Sequence, residues 1–390
     1  MLALAAAGVA LRRRQDRAPD VDHVVRLLLG TASSLVGTAA CCVDPVGVAR
    51  YAEVIAPFTV LGEDHAATIM YRAACASLPH LCDKPALAND LLHALLARLE
   101  SPRRIHGLPE GVKANYLWGA LSLLGAIQSW RDGPECLQTA DRLEQCSRMY
   151  AMNADYLRSS YYAGQGDLKR AAYYRQRMEV HAVELGSAWQ TETWAPADSV
   201  KVALRTQDAS VLKREIQELE RLSLELPWVA RLARIARGTY LVLRRKYAEA
   251  IPLLDTGDAP DSFAGWTRNR GVLAHAENQL GNHARAKEIC THALGFRRPE
   301  DLSYVAVGLN VQIELAMAEA GLGNLSLAAR QLDALLVHNA PDESAITLGS
   351  LHHARAGGAA RPRLLRCPRA PKRAFGADLK LTGIAGLKSA

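Results

Sequence analysis

The sequence predicts an all-α fold of stacked, antiparallel helical hairpins. Three observations predict it. Alanine and leucine dominate a chain whose aromatic residues are only 6% of the total, a balance that suits close helix packing better than sheets. No useful length of sequence alternates apolar and polar residues as a half-buried strand would. Five candidate turns, Gly166-Asp167, Gln207-Asp208, Arg245-Lys246, Gly281-Asn282 and Gly323-Asn324, recur at spacings of 41, 38, 36 and 42 residues. A quasi-regular period of that size indicates repeated helical units.

The chain opens on residues 1–14, a poorly defined segment in which an apolar stretch is followed, not preceded, by Arg12–Arg14. A secretory signal has the opposite polarity. Residues 27–43 carry no charge for seventeen positions, just short of a usual membrane span, and read as buried helix. No membrane partner is expected, and the expected location is the cytoplasm. The eight cysteines are scattered and form no CxxC pair, a usage that fits buried thiols rather than a disulfide framework. Cys75, His80 and Cys82 are close together, but Pro79 places His80 in an expected turn and no fourth ligand stands at metal-site spacing.

Residues 15–150 read as helical hairpins without a phase the residues define. Within them, Leu87, Leu91, Leu92, Leu95, Leu96 and Leu99 share one helical face, and Ser101-Pro102 ends that helix. Residues 114–130 are nearly all apolar and are expected to be buried from both sides.

Residues 151–345 hold the repeats. In each, the fifth residue past the first turn position is Ala171, Leu212, Ala250, Ala286 or Ala328. Gly281 can take a positive φ that ends one helix, and Asn282 is expected to cap the next. Leu273, Ala274, Ala276 and Leu280 share a face before the turn, and Ala286, Ile289, Cys290, Ala293 and Leu294 share one after it. The small residues allow two helices to cross closely.

These positions resemble the tetratricopeptide repeat family. One copy runs Ala274, Gly281-Asn282, Ala286, Cys290 and Ala293; another runs Ala316, Gly323-Asn324, Ala328, Leu332 and Leu335, with Pro341 beyond. A third shows Gly238, Tyr247, Ala250 and Leu254. The copy at Tyr162 and Gly166-Asp167 departs from the pattern with Arg175, and the one near Leu212 is the most degenerate. The resemblance covers roughly residues 150–340, with a period longer than the family's. It implies a right-handed superhelix, or α-solenoid, whose concave groove is lined by the first helix of each pair and binds a protein or peptide. Carried onto this chain, the family's groove positions are Asn153, Tyr156, Arg268, His275, Asn278, Gln279, Asn310 and Glu314. Arg268 stands alone there among polar amides, so the paired-cation grip of some family members is missing. The body is also similar to the C-terminal repeat regions of large bacterial serine/threonine kinase or ATPase signalling proteins. That similarity makes a kinase or ATPase module a candidate partner and a regulatory segment the alternative reading.

Chemistry is not spelled out. There is no GxxxxGK[ST] loop, no GxGxxG, no HExxH and no GxSxG elbow. His275, His283 and His292 fall in one repeat on different elements and read as ordinary imidazoles. No enzyme activity, cofactor or metal is expected. Ser187 to Trp194 carries two tryptophans, which read either as an interface or as a plug between hairpins.

Charge separates the body from residues 346–390. The chain carries +7 in all, but nine basic residues and one acidic one lie in its last forty positions. Residues 1–350 therefore hold 38 basic and 39 acidic groups, and the body lacks the basic face a duplex demands. A helix begins near Leu348, and the register is then lost among Gly357-Gly358, Pro362, Pro368 and Pro371. Two readings of this tail stand: a disordered basic arm for nucleic acid or an acidic partner, or an out-of-frame stretch of a GC-rich gene.

Overall fold

The computed structural model describes residues 19–41, 43–131, 133–146, 150–186, 195–260, 262–339 and 351–354. Among them every regular element is a helix, and pairing is limited to one bridge between His65 and His106. The helices follow one another as eight helix–turn–helix pairs. These are α1 (Pro19–Cys41) with α2 (Pro45–Ile55), α3 (Ala66–Leu81) with α4 (Pro85–Glu100), and α5 (Glu110–Trp130) with α6 (Glu135–Cys146). Next come α7 (Ala151–Gly164) with α8 (Leu168–Glu184), α9 (Ala195–Thr206) with α10 (Ala209–Leu222), and α11 (Pro227–Leu243) with α12 (Tyr247–Leu254). The series ends with α13 (Trp266–Gln279) and α14 (His283–Gly295), a short α15 (Pro299–Leu302), and α16 (Val305–Gly321) with α17 (Leu325–Asn339).

The five turns read from the sequence share one backbone conformation. Their first residues, Gly166, Gln207, Arg245, Gly281 and Gly323, have φ of +76°, +55°, +59°, +86° and +92°. In each, the next N–H returns to the carbonyl five residues back: Asp167 to Tyr162, Asp208 to Ala203, Lys246 to Leu241, Asn282 to Glu277 and Asn324 to Glu319, all at 2.9–3.0 Å. This is the closure that satisfies the last carbonyls of a helix. Two more turns of the same kind lie in the N-terminal part. Val43 and Asp83 have φ of +51° and +53°, and the following residues bond back to Ala39 and Pro79 at 2.9 and 2.8 Å. A non-glycine residue in this region costs roughly 1–2 kcal/mol, so nothing in residue type marks these two positions.

Capping differs from expectation at Asn282. Its side chain makes no cap bond and instead donates to Glu277 Oε2 at 2.8 Å. Asn324 does the same toward Glu319 Oε2 at 2.7 Å. Side-chain caps come from Asp44, His65, Asp167 and Asp208, which accept from Gly47, Ala67, Arg170 and both Ser210 and Val211. Pro79 is also not in a turn; it sits in the last turn of α3, four residues before Asp83.

Within and between the eight pairs each helix packs on the next, α14 reaching past the short α15 to α16, and the first helix of each pair touches the first helix of the next. The small residues do the work expected of them. Ala250 and Ala286 are fully buried, as is Leu212, with Ala171 and Ala328 nearly so. Gly271 marks the closest approach of α13 to α16, where an added Cβ would lie 3.1 Å from both Asn310 Cβ and Val311 N. In the first half, Leu92, Leu95, Leu96 and Leu99 are buried while Leu87 and Leu91 are half-buried. One core cluster runs from Ala66 to Leu157 and takes in Tyr304 and Val307, so packing is continuous across residue 150.

No helix among the described residues is long and apolar enough to cross a membrane. The uncharged stretch in α1 turns Leu29, Ala32, Val36 and Ala39 into the protein. Residues 351–354 are helical, and Leu351 and Ala354 are buried against Leu309, Ile313, Ala316 and Leu332. The tryptophan-rich stretch 187–194 and the tail 355–390 lie outside the described residues.

The chain also returns on itself. The α3–α4 turn meets the start of α13, and α4 and α5 touch α15 and α16. Asp83 accepts from the backbone N–H groups of Gly265 at 2.6 Å and Thr267 at 2.8 Å. Asp301 accepts from Ala86 N–H at 3.1 Å. Arg297 Nη1 donates to the carbonyls of Cys82 and Asp83 at 2.8 and 2.9 Å. Neither α4 nor α13 has a side-chain cap from its own N-cap residue, Lys84 or Gly265. Each helix start is satisfied from the far part of the chain.

Candidate functional site

This closure brings together side chains that local sequence keeps far apart. His80 stands on α3, Tyr156 on α7, Asp198 and Lys201 on α9, and Arg268 on α13, all first helices of their pairs. Lys201 Nζ lies 2.8 Å from Asp198 Oδ1 and 6.0 Å from the Tyr156 ring centre. Tyr156 is half-buried, and burial raises its hydroxyl pKa, reinforced by Asp198 and opposed by Lys201 and Arg268. His80 stacks on Trp130 at 4.7 Å. Burial, with Lys201 adding to it, lowers the His80 pKa to about 4, so the ring is neutral at pH 7. Burial works against the Lys201 charge too, but Asp198 and Tyr156 outweigh it and the pKa rises. Pairwise electrostatic contacts therefore link hairpins two, four, five and seven: His80 with Lys201, Lys201 with Tyr156, and Tyr156 with Arg268.

Arg268 differs from its neighbours. It is half-buried, burial lowers its pKa, and only the charge of Asp83 and the Tyr156 hydroxyl oppose that. Its Nη2 lies 3.1 Å from where a Cβ on Gly265 would stand.

The remaining expected groove residues form a second group, and most of it is internally satisfied. Asn278 is buried and donates from Nδ2 to the carbonyl and to Oε2 of Glu314, both at 2.9 Å. His275 Nδ1 lies 2.8 Å from Glu314 Oε1. Burial opposes a charge on His275, but the Glu314 bond and charge prevail and raise its pKa. His283 Nδ1 lies 3.1 Å from Asn278 Oδ1. This network ties α13 to α16 and leaves Asn278 nothing to offer a ligand. Asn310 is half-buried beside Gly271, and Gln279 is exposed at the end of α13. Asn153 is half-buried and reaches Ser122 Oγ at 3.4 Å.

The sequence reading passed over Lys201, Asp198 and Asp83, and weighed His80 only as a metal ligand beside Cys75 and Cys82. Lys201 sits in the copy with the weakest repeat pattern, and Asp83 sits in the half without a phase, so no register pointed at either. It also passed over Asp155, fully buried behind Tyr156 on the same helix. Arg158 holds Asp155 at 3.2 Å, Asp141 at 2.8 Å and Glu144 at 2.5 Å. Arg177 and His181 each approach Asp155 Oδ2 to 3.3 Å. Above this cluster Tyr173, Gln176, Arg177, Val180 and His181 line a shallow depression of about 240 Å³ on α8. Among the described residues no group of three or more His, Cys, Asp or Glu is placed to hold a metal ion.

Comparison with models of known protein families finds no match to the chain, and comparison with curated proteins finds none either.

Proposed function

We propose that the chain is a non-catalytic helical-repeat scaffold, an α-solenoid of tetratricopeptide type, that holds a protein or peptide against the wall formed by its first helices. The observation that carries this reading is the convergence of His80, Tyr156, Lys201 and Arg268, each from the first helix of a different pair. Among these, the buried His80 Nδ1 has no hydrogen-bond partner among the described residues, a cost to the folded chain. A partner that supplies hydrogen bonds and apolar surface returns that loss. Five turns of one geometry, recurring every 36 to 42 residues, support the repeat character.

Affinity capture tests the proposal. The full chain is compared with an Asn153→Ala, Tyr156→Ala double variant whose helicity is verified by circular dichroism. A discrete protein retained by the first and lost by the second is the expected result. Identical retained sets would remove the wall from the account.

A further inference from the structure

We propose that α8 is the contact between two copies of this chain, packed antiparallel on their outer faces about a two-fold axis between Gln176 and Arg177. The face lies on the second helix of the pair whose first helix carries Tyr156, so self-association and capture at the wall are separable. The inner side of α8 is an ordinary core face, with Ala171 and Met178 buried. Its outer side is not ordinary. Tyr173, Val180 and Val183 are 54%, 55% and 66% exposed, and Gln176 is exposed between them. Positions 173, 176, 180 and 183 are spaced three, four and three residues apart, the seam of a helix that packs along another helix. Charged residues border the strip on both sides. α6 meets α8 through Glu144 and Arg177 at 2.9 Å, and α10 meets it through Arg214 and Glu179 at 3.8 Å. An apolar strip with a charged rim is the anatomy of an interface.

The strip is also held ready. Arg177 is fixed by Glu144 and by the buried Asp155 at 3.3 Å, and its guanidinium lies 5.9 Å from the Tyr173 ring centre. Tyr173 in turn meets the Tyr174 ring edge-on at 5.1 Å. Side chains fixed in this way lose little freedom on docking, and tyrosine and arginine dominate interface energies. Self-complementarity identifies the occupant. When α8 is laid antiparallel on itself about that axis, Lys169 meets Glu184 of the second copy, Tyr173 meets its Val180, and Gln176 meets its Arg177. Symmetry makes each contact twice. Opposite charges then meet at both ends, and the depression bounded by Tyr173 and Val180 receives an aromatic ring. A parallel pairing sets Lys169 on Lys169 and Glu184 on Glu184, and like-charge repulsion disfavours it. One helix pair buries less than the roughly 800 Å² per partner of a standard interface. The dimer is therefore weak, with dissociation on the order of micromolar.

Sedimentation velocity of the full chain, from about 1 to 100 µM, reads the dimer directly. The variants are Val180→Asp, Lys169→Glu, Glu184→Lys, the Lys169→Glu, Glu184→Lys double reversal, and Val46→Asp, whose valine is 75% exposed on α2. Circular dichroism verifies that each is folded. The wild type and Val46→Asp should dimerise alike as concentration rises. Val180→Asp should weaken the dimer at least about tenfold by placing a charge in the strip. Each single reversal sets like charges against each other at both ends and should weaken it by a similar factor. The double reversal restores opposite charges and should return the dimer to nearly wild-type strength. Mixing the Lys169→Glu and Glu184→Lys proteins should also restore association, as a mixed dimer. A wild type that stays monomeric throughout the range would overturn the proposal. So would a dimer that survives Val180→Asp, single reversals without effect, or a double reversal that restores nothing. In each of these cases a partner held at the first-helix wall would be untouched.

Discussion

Asp83 and Asp301 exchange helix caps across the chain. Asp83, in the α3–α4 turn, satisfies the start of α13, and Asp301, in the short helix before α16, satisfies the start of α4. Gly265 is 182 residues from Asp83, and both aspartates are 1% exposed. Removing Asp83 leaves two buried N–H groups without acceptors. Asp83→Ala should therefore cost about 2–4 kcal/mol in urea unfolding, and Asp301→Ala about 1 kcal/mol. Because both act on one closure, a double-mutant cycle should show coupling of about 0.5 kcal/mol or more. Strict additivity would mean that the two contacts form independently.

Two histidines link stability to pH with opposite signs. His80 is held neutral, its pKa lowered from 6.5 to about 4 by burial and by Lys201. A base whose pKa falls on folding binds fewer protons in the native state. Its contribution is thus complete above pH 6.5 and is lost as pH falls toward 4, a loss on the order of 3 kcal/mol. His275 is raised above 6.5, Glu314 prevailing over burial. Its contribution is complete below pH 6.5 and is lost as pH rises through its folded value. Denaturant unfolding between pH 4 and 9 should show His80→Phe flattening the acidic limb and His275→Gln flattening the alkaline one. A wild-type acidic limb retained in His80→Phe would place that titration elsewhere.

Arg158 neutralises a carboxylate that is out of reach of water. Asp155 is fully buried, and burial raises its pKa against the charges of Arg177 and Arg158. Arg158→Ala leaves that carboxylate short of its closest cation and should cost about 3–5 kcal/mol. The Arg158→Ala, Asp155→Ala pair should recover part of the loss. No recovery in the pair would show that packing, not charge, sets the cost.

Close helix crossings depend on residues with little or no side chain. Ala286 is fully buried between α13 and α14, and Ala286→Trp should cost on the order of 1–3 kcal/mol or more through overpacking. Gly271→Ala should also destabilise, because the new Cβ meets the backbone of α16 at Val311 rather than a flexible side chain. Thermal unfolding checks both, and an unchanged midpoint in either variant contradicts the assigned crossing.

Gly166, Gly281 and Gly323 made three turns legible because glycine accepts positive φ without strain, and period extended the register to Gln207 and Arg245. Val43 and Asp83 adopt the same conformation without that signal, which is why the first hairpins had no readable phase. Tyr156 and Arg268 followed from the register of their helices. Asn278 and Glu314 also followed as positions, but a register cannot show that one side chain takes up the hydrogen bonds of the other. The cap exchange was beyond reach for a different reason. Nothing in the residues around Asp83 distinguishes an aspartate that caps a helix 182 residues away from one in an ordinary turn.

The central claim is that a partner lies along the first helices. Hydroxyl-radical footprinting of the full chain with its captured partner tests it at two tyrosines. Tyr156 is half-buried on a first helix beside Lys201, and Tyr173 is 54% exposed on a second helix. Binding should suppress labelling of Tyr156 and leave Tyr173 unchanged. Protection of Tyr173 with Tyr156 unaltered would contradict the claim.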